Sequence, residues 1–597
     1  MLIMDIKYAL KFITRIIPVT TFVIFFSCTS KQEVTVNELR DHIEYLSSDS
    51  LKGRLSGSPG DSLAAEYIKH ELSSNGFIPL SGDGFQRFNV TSRLVSGPGN
   101  ALIINGKSFI PEKDFKPFAF SSSSQLESEV IFAGYGFGIN TDSLKWNDYE
   151  NINVEGKWVM ALRADPETEK SISLFIPFSG DRDKALMAKD MGAAGLLLVS
   201  GPSFDSQDTF ESLNSEDFSV DIPVLRIKRD IAEIILSKAK ITVASLENIL
   251  NDTRRPSSFP TGTSVIANTE IIRELNNTRN VVMTLPGEDE ILKNEYIIIG
   301  AHFDHLGMGG TGSRAADTVA VHHGADDNAS GVSMMLELAE KFSHTKGSHK
   351  RSIICIAFAG EELGLLGSKY FVEKAGIDLS KVNVMINLDM VGRLQETNVL
   401  QVSGVGTAED LNELVIAEND TNLIKLTLSE GGYGPSDHSS FYGKNIPVLF
   451  FSTGPHLDYH TPRDTYEKLN YEGMVNISSL IFKVIEKLAS SPDRLKFREA
   501  GERPDQGRQI RRKGVTIGIM PDFAGNIKNG LRADFVIPDR PAALGGMIKG
   551  DIITAINGKA VNNIYDYMSR MGQLKHGQTI SVEITRNNQK MLLLIQL

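Results

Sequence analysis

The run Gly360-Glu361-Glu362-Leu363-Gly364-Leu365-Leu366-Gly367-Ser368 follows an unbroken apolar segment, residues 353–358. Such a segment reads as a buried strand. Two adjacent carboxylates at its mouth are costly to desolvate unless a cation or a proton transfer uses them. The pattern recurs on both sides. Upstream, apolar residues 296–299 lead into Gly300-Ala301-His302-Phe303-Asp304-His305; downstream, 384–388 lead into Asp389. Three strand ends deliver metal-ligand side chains. Helical segments at 329–342, 364–373, 408–418 and 474–488 alternate with these strands, which predicts an α/β sandwich with a largely parallel sheet. In such sheets, sites form at the carboxyl ends of the strands.

The chemistry follows residue by residue. His302 and Asp304 are two apart, so on an extended backbone they share a side, and Asp304 is placed to hold the imidazole of His302 in the right tautomer. Gly324-Ala325-Asp326-Asp327-Asn328-Ala329-Ser330-Gly331 is an acidic loop opening a helix. Here Asp326 is read as able to bridge two cations, and Asp327 and Asn328 as loop and cap residues. His460 stands in Asp458-Tyr459-His460-Thr461-Pro462-Arg463-Asp464-Thr465. The set His302, Asp326, Glu362, Asp389 and His460 offers nitrogen and carboxylate donors that suit zinc, with manganese or cobalt as substitutes. Three carboxylates would leave one positive charge on two divalent ions, which one hydroxide neutralises, so two metals is the balanced count. No His-Glu-x-x-His helix occurs, and Ser368 lacks a nucleophile-elbow context. His305, His322, His323, His438 and His456 are read as loop or outer structure, with His438 and Asp437 the candidates for supporting the ligands.

The motifs at 300–305, 324–331, 360–368, 387–389 and 460–465 resemble those of the di-zinc aminopeptidase family, which also includes glutamate carboxypeptidases. Residues 53–60 resemble its N-terminal segment. The resemblance implies a three-layer α/β/α core with a mostly parallel mixed sheet. It also implies two zinc ions per chain, one on His302 and Asp389, the other on Glu362 and His460, with Asp326 bridging. Glu361 is then the free base that takes a proton from a metal-bridging water, and Tyr433 stands beside the substrate carbonyl. Peptides with a free amine are the implied substrates. A carboxypeptidase of the same family is the alternative, which an arginine-rich pocket would favour. A glutaminyl cyclase on a related one-zinc fold is a third, and an inactive peptide-binding scaffold would be favoured by a lost ligand or base.

The rest of the chain sets the context. At 597 residues, with 41% hydrophobic and 23% charged residues, it reads as a soluble protein of three or more domains. A net charge of -12 argues against nucleic acid as a partner. Lys7, Lys11 and Arg15 precede an apolar stretch, 16–26, of signal-peptide length. It ends at Phe25-Phe26-Ser27-Cys28, which resembles a lipoprotein box with Cys28 lipidated, although Phe25 replaces the usual aliphatic residue. The expectation is an exported, membrane-anchored lipoprotein facing the periplasm or cell exterior, with the membrane touched only through the lipid. Cys355, the only other cysteine, lies in an apolar strand and is read as core packing.

The expected domains are a signal peptide at 1–27, an N-terminal peptidase part at 28–120, an insert at 121–265, the peptidase core at 266–492, a basic linker at 493–513 and a last domain at 514–597. The insert is expected to carry strands at 130–133, 158–162, 196–199 and 222–227 and one helix near 184–191. With Phe132-Ala133-Gly134-Tyr135-Gly136 and Trp146-Asn147-Asp148-Tyr149 it resembles a protease-associated domain, which implies a β-rich neighbour of the active site that restricts access. Residues 541–558 look like the helix, turn and hairpin of a bacterial PDZ domain, and Thr516-Ile517-Gly518-Ile519 resembles its carboxylate-binding loop. Binding of a peptide C-terminus and simple packing against the peptidase are equally expected, and the domain reads as separable.

Overall fold

Residues 353–358 lie in a strand, Ser352–Phe358, every residue of which is buried. The computed structural model describes residues 33–597 apart from 171, 211–212, 214–218, 311, 316–317, 501–514, 522–528 and 538–539. The expected leader and Cys28 lie outside the described residues. No helix among the described residues is long and apolar enough to cross a membrane.

Ser352–Phe358 sits in a nine-stranded mixed sheet, beside Tyr296–His302, which is followed by Val382–Leu388 and Val448–Ser452. These four run parallel. Antiparallel neighbours flank them: Ile271–Leu285 on one side and Val399–Ser403 on the other. Alternation of side chains gives the sheet two covered faces. Ile297, Ile299 and Ala301 join a core with the helices Val36–Leu46, Pro59–Ser74, Gly331–His344 and Tyr471–Ser490. Ile298, Ile354, Ile356 and Phe358 join the opposite core with Phe371 and Phe441. This is the expected three-layer α/β arrangement. Helix Pro59–Ser74 is capped by Ser58, which accepts from the Asp61 N–H at 3.2 Å, and Pro59 occupies the first turn.

The insert is larger than 121–265. Strands Ala101–Ile104, Lys107–Phe109 and Phe115–Pro117 belong to its eight-stranded sheet rather than to the nine-stranded one. The chain crosses over where strand Phe85–Ser96 ends against Ile271–Leu285, with Ser96 opposite Ile271. The serine run 121–124 lies inside the insert, where Ser121 Oγ accepts from the Val224 N–H at 2.9 Å. Besides Asp181–Asp190, the insert has helices Arg229–Leu236 and Val243–Thr253. Buried Ile231, Ala232, Ile235 and Leu236 carry a helical period that would have revealed the first of these.

The expected linker is partly structured. Arg498 N–H donates to Thr407 O at 2.8 Å, and Tyr442 Oη both donates to Ala500 O and accepts from its N–H, at 2.9 and 2.7 Å. The last domain has its own six-stranded sheet and core, with helix Ile564–Gly572. It is docked on two sides. Phe535, on strand Leu531–Val536, is buried in the cluster of Phe441, Tyr442 and Ile446 on the nine-stranded sheet. On the insert side, Arg570 makes a two-pronged pair with Asp190 at 2.8 and 2.9 Å, and Ser569 Oγ donates to Asp183 at 2.9 Å.

Candidate active site

The parallel strands end where the sequence places the ligands, and His302, the last residue of its strand, is 1% exposed. Its Nδ1 faces the Asp304 carbonyl at 3.2 Å, while Nε2 lies 3.2 Å from Asp327 Oδ1 and 3.5 Å from Asp389 Oδ1. On the other side of Asp327, His460 Nε2 lies 3.2 Å from Asp327 Oδ2 and 3.2 Å from Glu362 Oε2, and its Nδ1 faces Gly312 O at 2.9 Å. His305 Nδ1 lies 2.8 Å from Glu362 Oε1. Donor atoms of His302, Asp327 and Asp389 fall within 4.8 Å of one another, as do those of His305, Asp327 and Glu362.

Asp327, not Asp326, stands between the two groups. The sequence reading put the bridge one residue early. Asp326 turns the other way: its Oδ1 accepts from the Gly392 N–H at 2.7 Å and its Oδ2 lies 3.3 Å from His456 Nε2. Both aspartate N–H groups are held by Asp464 Oδ2, at 2.9 and 3.1 Å. Asp327 and Asn328 are non-helical, so the loop sends neighbouring carboxylates to opposite sides. His302, Glu362, Asp389 and His460, all singled out in the sequence, come together around Asp327. His305, read from sequence as loop structure, orients Glu362.

These groups fit metal ions. With Nδ1 of His302 and His460 directed at carbonyls, each Nε2 is directed at two carboxylate oxygens, an arrangement that calls for positive charge between them. Asp327 Oδ2 is buried without a hydrogen-bond partner. Burial works to lower the pKa of His302, but Glu361, Asp389, Asp304 and Asp327 outweigh it and hold the imidazole well above its ordinary range. The carboxylates that favour a proton there equally favour a divalent cation. Burial raises Glu361 well above the ordinary carboxylate range, opposed by His302 and assisted by Glu362, Asp437 and Asp389.

The N-terminal segment forms the floor. Asp304 takes the Glu361 N–H on Oδ1 at 3.1 Å and the Ser56 hydroxyl on Oδ2 at 2.9 Å, and Ser56 Oγ accepts from the Gly360 N–H at 2.9 Å. Asp304 therefore fixes the backbone of the Glu361-Glu362 pair; its carboxylate is 3.7 Å from the His302 ring, which its carbonyl approaches more closely. Arg54, 1% exposed, donates to the carbonyls of Leu46, Phe303, His323 and Gly324, tying the floor to both ligand loops. Asp389 Oδ2 accepts from Ser436 Oγ at 2.7 Å. His438 stacks on Phe450 at 4.4 Å with neither nitrogen hydrogen-bonded, and burial lowers its pKa to about 3. Asp437 is buried beside it and raised by that burial to about 7.

A cavity of about 690 Å³ opens on Glu361 and Glu362. Tyr433 and Tyr459 line it, the latter stacked on His460 at 3.8 Å and not foreseen in the sequence. Tyr433 donates its hydroxyl to Asp534 O at 2.9 Å, so the phenol expected beside a substrate carbonyl is bound to the C-terminal domain. That domain supplies Pro521, Arg532, Asp534, Lys549 and Gly550 to the cavity wall. Among the described residues lining the cavity, none comes from the insert, which the sequence reading had placed as the restricting neighbour.

Paired imidazole and carboxylate groups sharing one aspartate, beside the ends of the parallel strands, could hold metal in two groups. Residues 280–485 match the model of peptidase family M28, and residues 517–597 match that of a PDZ domain. The chain is 29% identical over 229 residues to a probable leucine aminopeptidase of Trichophyton verrucosum, covering 36% of this chain and 57% of the relative. It is 30% identical over 217 residues to aminopeptidase YwaD of Bacillus subtilis, covering 34% and 44%. The chain spans about half the length of these curated relatives. The solved structure of a zinc aminopeptidase from Bacillus subtilis aligns with a TM-score of 0.46 at 21% identity, covering 77% of this chain and 96% of that one.

Proposed function

We propose that the chain is an exported, zinc-dependent aminopeptidase with two metal ions. The observation that carries this reading is Asp327, whose two oxygens face His302 on one side and His460 on the other. His302, Asp327 and Asp389 would hold one ion; Asp327, Glu362 and His460 the second. Bound there, zinc would supply Lewis acidity and lower the pKa of a water from ~15.7 toward ~7. Glu361, left out of both groups, accepts the proton of the attacking water on its carboxylate and delivers it to the leaving amine. Asp304 and Ser56 keep that carboxylate in register through the backbone. The carboxylate-rich end of the cavity favours the ammonium group of a substrate N-terminus. Tyr433 reaches a substrate carbonyl only by giving up its bond to Asp534. The carboxypeptidase alternative asks for an arginine-rich pocket. The cavity wall has one arginine among three lysines, with Glu373 and Asp534 among them, which favours it less.

The test is metal analysis together with hydrolysis of leucine p-nitroanilide and its N-acetylated form. Near two zinc ions per chain, loss of activity on chelation and its return with zinc are expected, with the acetylated substrate resistant. Equal cleavage of both forms rejects an aminopeptidase. Export is checked by fractionation of cells expressing the full chain, and lipidation by loss of membrane recovery in Cys28→Ser.

A further inference from the structure

We propose that the C-terminal PDZ domain is a fixed wall of the substrate cleft that confines the enzyme to short peptides, with Arg532 and Lys549 receiving the free terminal carboxylate. The proposal rests on the aminopeptidase reading and names the substrate class of that site.

Three observations carry it. The first is placement: Arg532, Asp534 and Lys549 line the same cavity as Glu361 and Glu362. The second is rigidity. Phe535 is 4% exposed within the peptidase cluster, Tyr433 donates to Asp534 O at 2.9 Å, and Lys549 Nζ donates to Gly443 O at 2.6 Å. From the other side, Arg570 and Asp190 join the domain to the insert through a pair that is 4% and 13% exposed. A domain held on two faces does not swing aside without breaking both sets of contacts.

The third is size and charge. A space of about 690 Å³ corresponds to roughly 9 Å in each direction, and an extended peptide advances about 3.3–3.6 Å per residue, so roughly three residues lie alongside this wall. Beyond the catalytic pair, the wall carries Lys369, Lys444, Arg532 and Lys549 against Glu373 and Asp534. Arg532 pairs with Asp534 at 2.5 Å, and a guanidinium is the side chain whose fork of donors matches a carboxylate. Cations that share a cavity with an ammonium-seeking carboxylate pair suit a ligand with a positive and a negative terminus a few residues apart.

The test uses the full chain. Leucine p-nitroanilide comes first: no hydrolysis of it would sink the aminopeptidase reading itself. With that activity in hand, kcat/KM is measured for a tripeptide and for peptides of about ten and about twenty residues with the same N-terminus. A fall of at least about tenfold with length is expected, and equal efficiency across the series overturns the wall. The tripeptide and its C-terminal amide are then compared; an advantage of about fivefold for the acid, carried in KM, is expected from a partly exposed ion pair. Equal values overturn the carboxylate assignment. In Arg532→Gln the acid-to-amide ratio should move toward one, and an unchanged ratio removes Arg532 from the proposal. The wild-type series needs no variant, so the outcome does not depend on one folding.

Discussion

The hydroxyl of Tyr433 donates to the carbonyl oxygen of Asp534 at 2.9 Å, and its ring lies 4.5 Å from that of Phe535. A residue of the peptidase cleft is thereby positioned by a domain that begins some eighty residues later in the chain. The C-terminal domain is a structural neighbour of the chemistry, and its removal exposes the seat of Phe535 as well as freeing Tyr433.

Asp327→Asn should lose metal from both halves of the site and with it at least ~1000-fold in turnover, because one carboxylate faces both imidazoles. Asp326→Asn keeps an oxygen for the Gly392 N–H and should hold metal near the wild-type content, with activity within about tenfold. Metal analysis of the two variants side by side decides between them; the reverse pattern would restore Asp326 as the bridge.

Glu361→Gln should retain metal and fold yet turn over at least ~100-fold more slowly, since it removes a proton acceptor and no ligand. Near wild-type kcat with unchanged metal content would place the base elsewhere.

Asp61 is buried where Thr278 Oγ1 donates to it at 3.0 Å, and burial raises its pKa to about 7 from an ordinary 3.8. The folded state therefore favours the neutral acid. Its contribution to stability is fully present below the unfolded pKa and is lost as pH rises through about 7. Relative to wild type, Asp61→Asn should gain in Tm progressively between those two pH values. A difference in Tm independent of pH would show that Asp61 does not titrate across this range.

Arg570→Ala and Asp190→Ala should each weaken docking of the C-terminal domain, and the double variant should cost less than their sum. A coupling of at least ~1 kcal/mol is expected for a pair this buried. Thermal unfolding of the four proteins measures it, and additive effects would reduce the pair to a surface contact.

The strand ends were legible because buried parallel strands announce themselves as apolar runs, and a carboxylate or imidazole just past such a run has few structural reasons to be there. His302, Glu362 and Asp389 were picked out by that signal, and the alternation of strands and helices gave the α/β sandwich; His460 and the three layers came from the family resemblance. The choice between Asp326 and Asp327 was not legible. It depends on the non-helical turn at Asp327 and Asn328, which reads in sequence as a helix opening. Its visible cause is Asp464, distant in sequence, whose single oxygen holds both N–H groups. The insert boundary was misplaced for a related reason: strands 101–117 have ordinary strand composition, and only their partners reveal which sheet they join. Docking of the last domain depends on Phe535 finding Tyr433 and Tyr442, a match between surfaces that no local pattern encodes.

The paired strands Phe85–Ser96 and Ile271–Leu285 have a consequence for how the chain folds. Ser96 lies opposite Ile271, so the peptidase sheet closes around everything between them. Closing so long a loop of flexible chain would cost on the order of 5 kcal/mol in entropy. An insert that folds first, with its own core of Trp158, Leu197 and Leu225, brings those two ends together in advance. During synthesis the insert emerges before the second half of the sheet, so it is placed to act as a clasp, and a lesion in its core should slow folding of a chain whose candidate ligands are all intact.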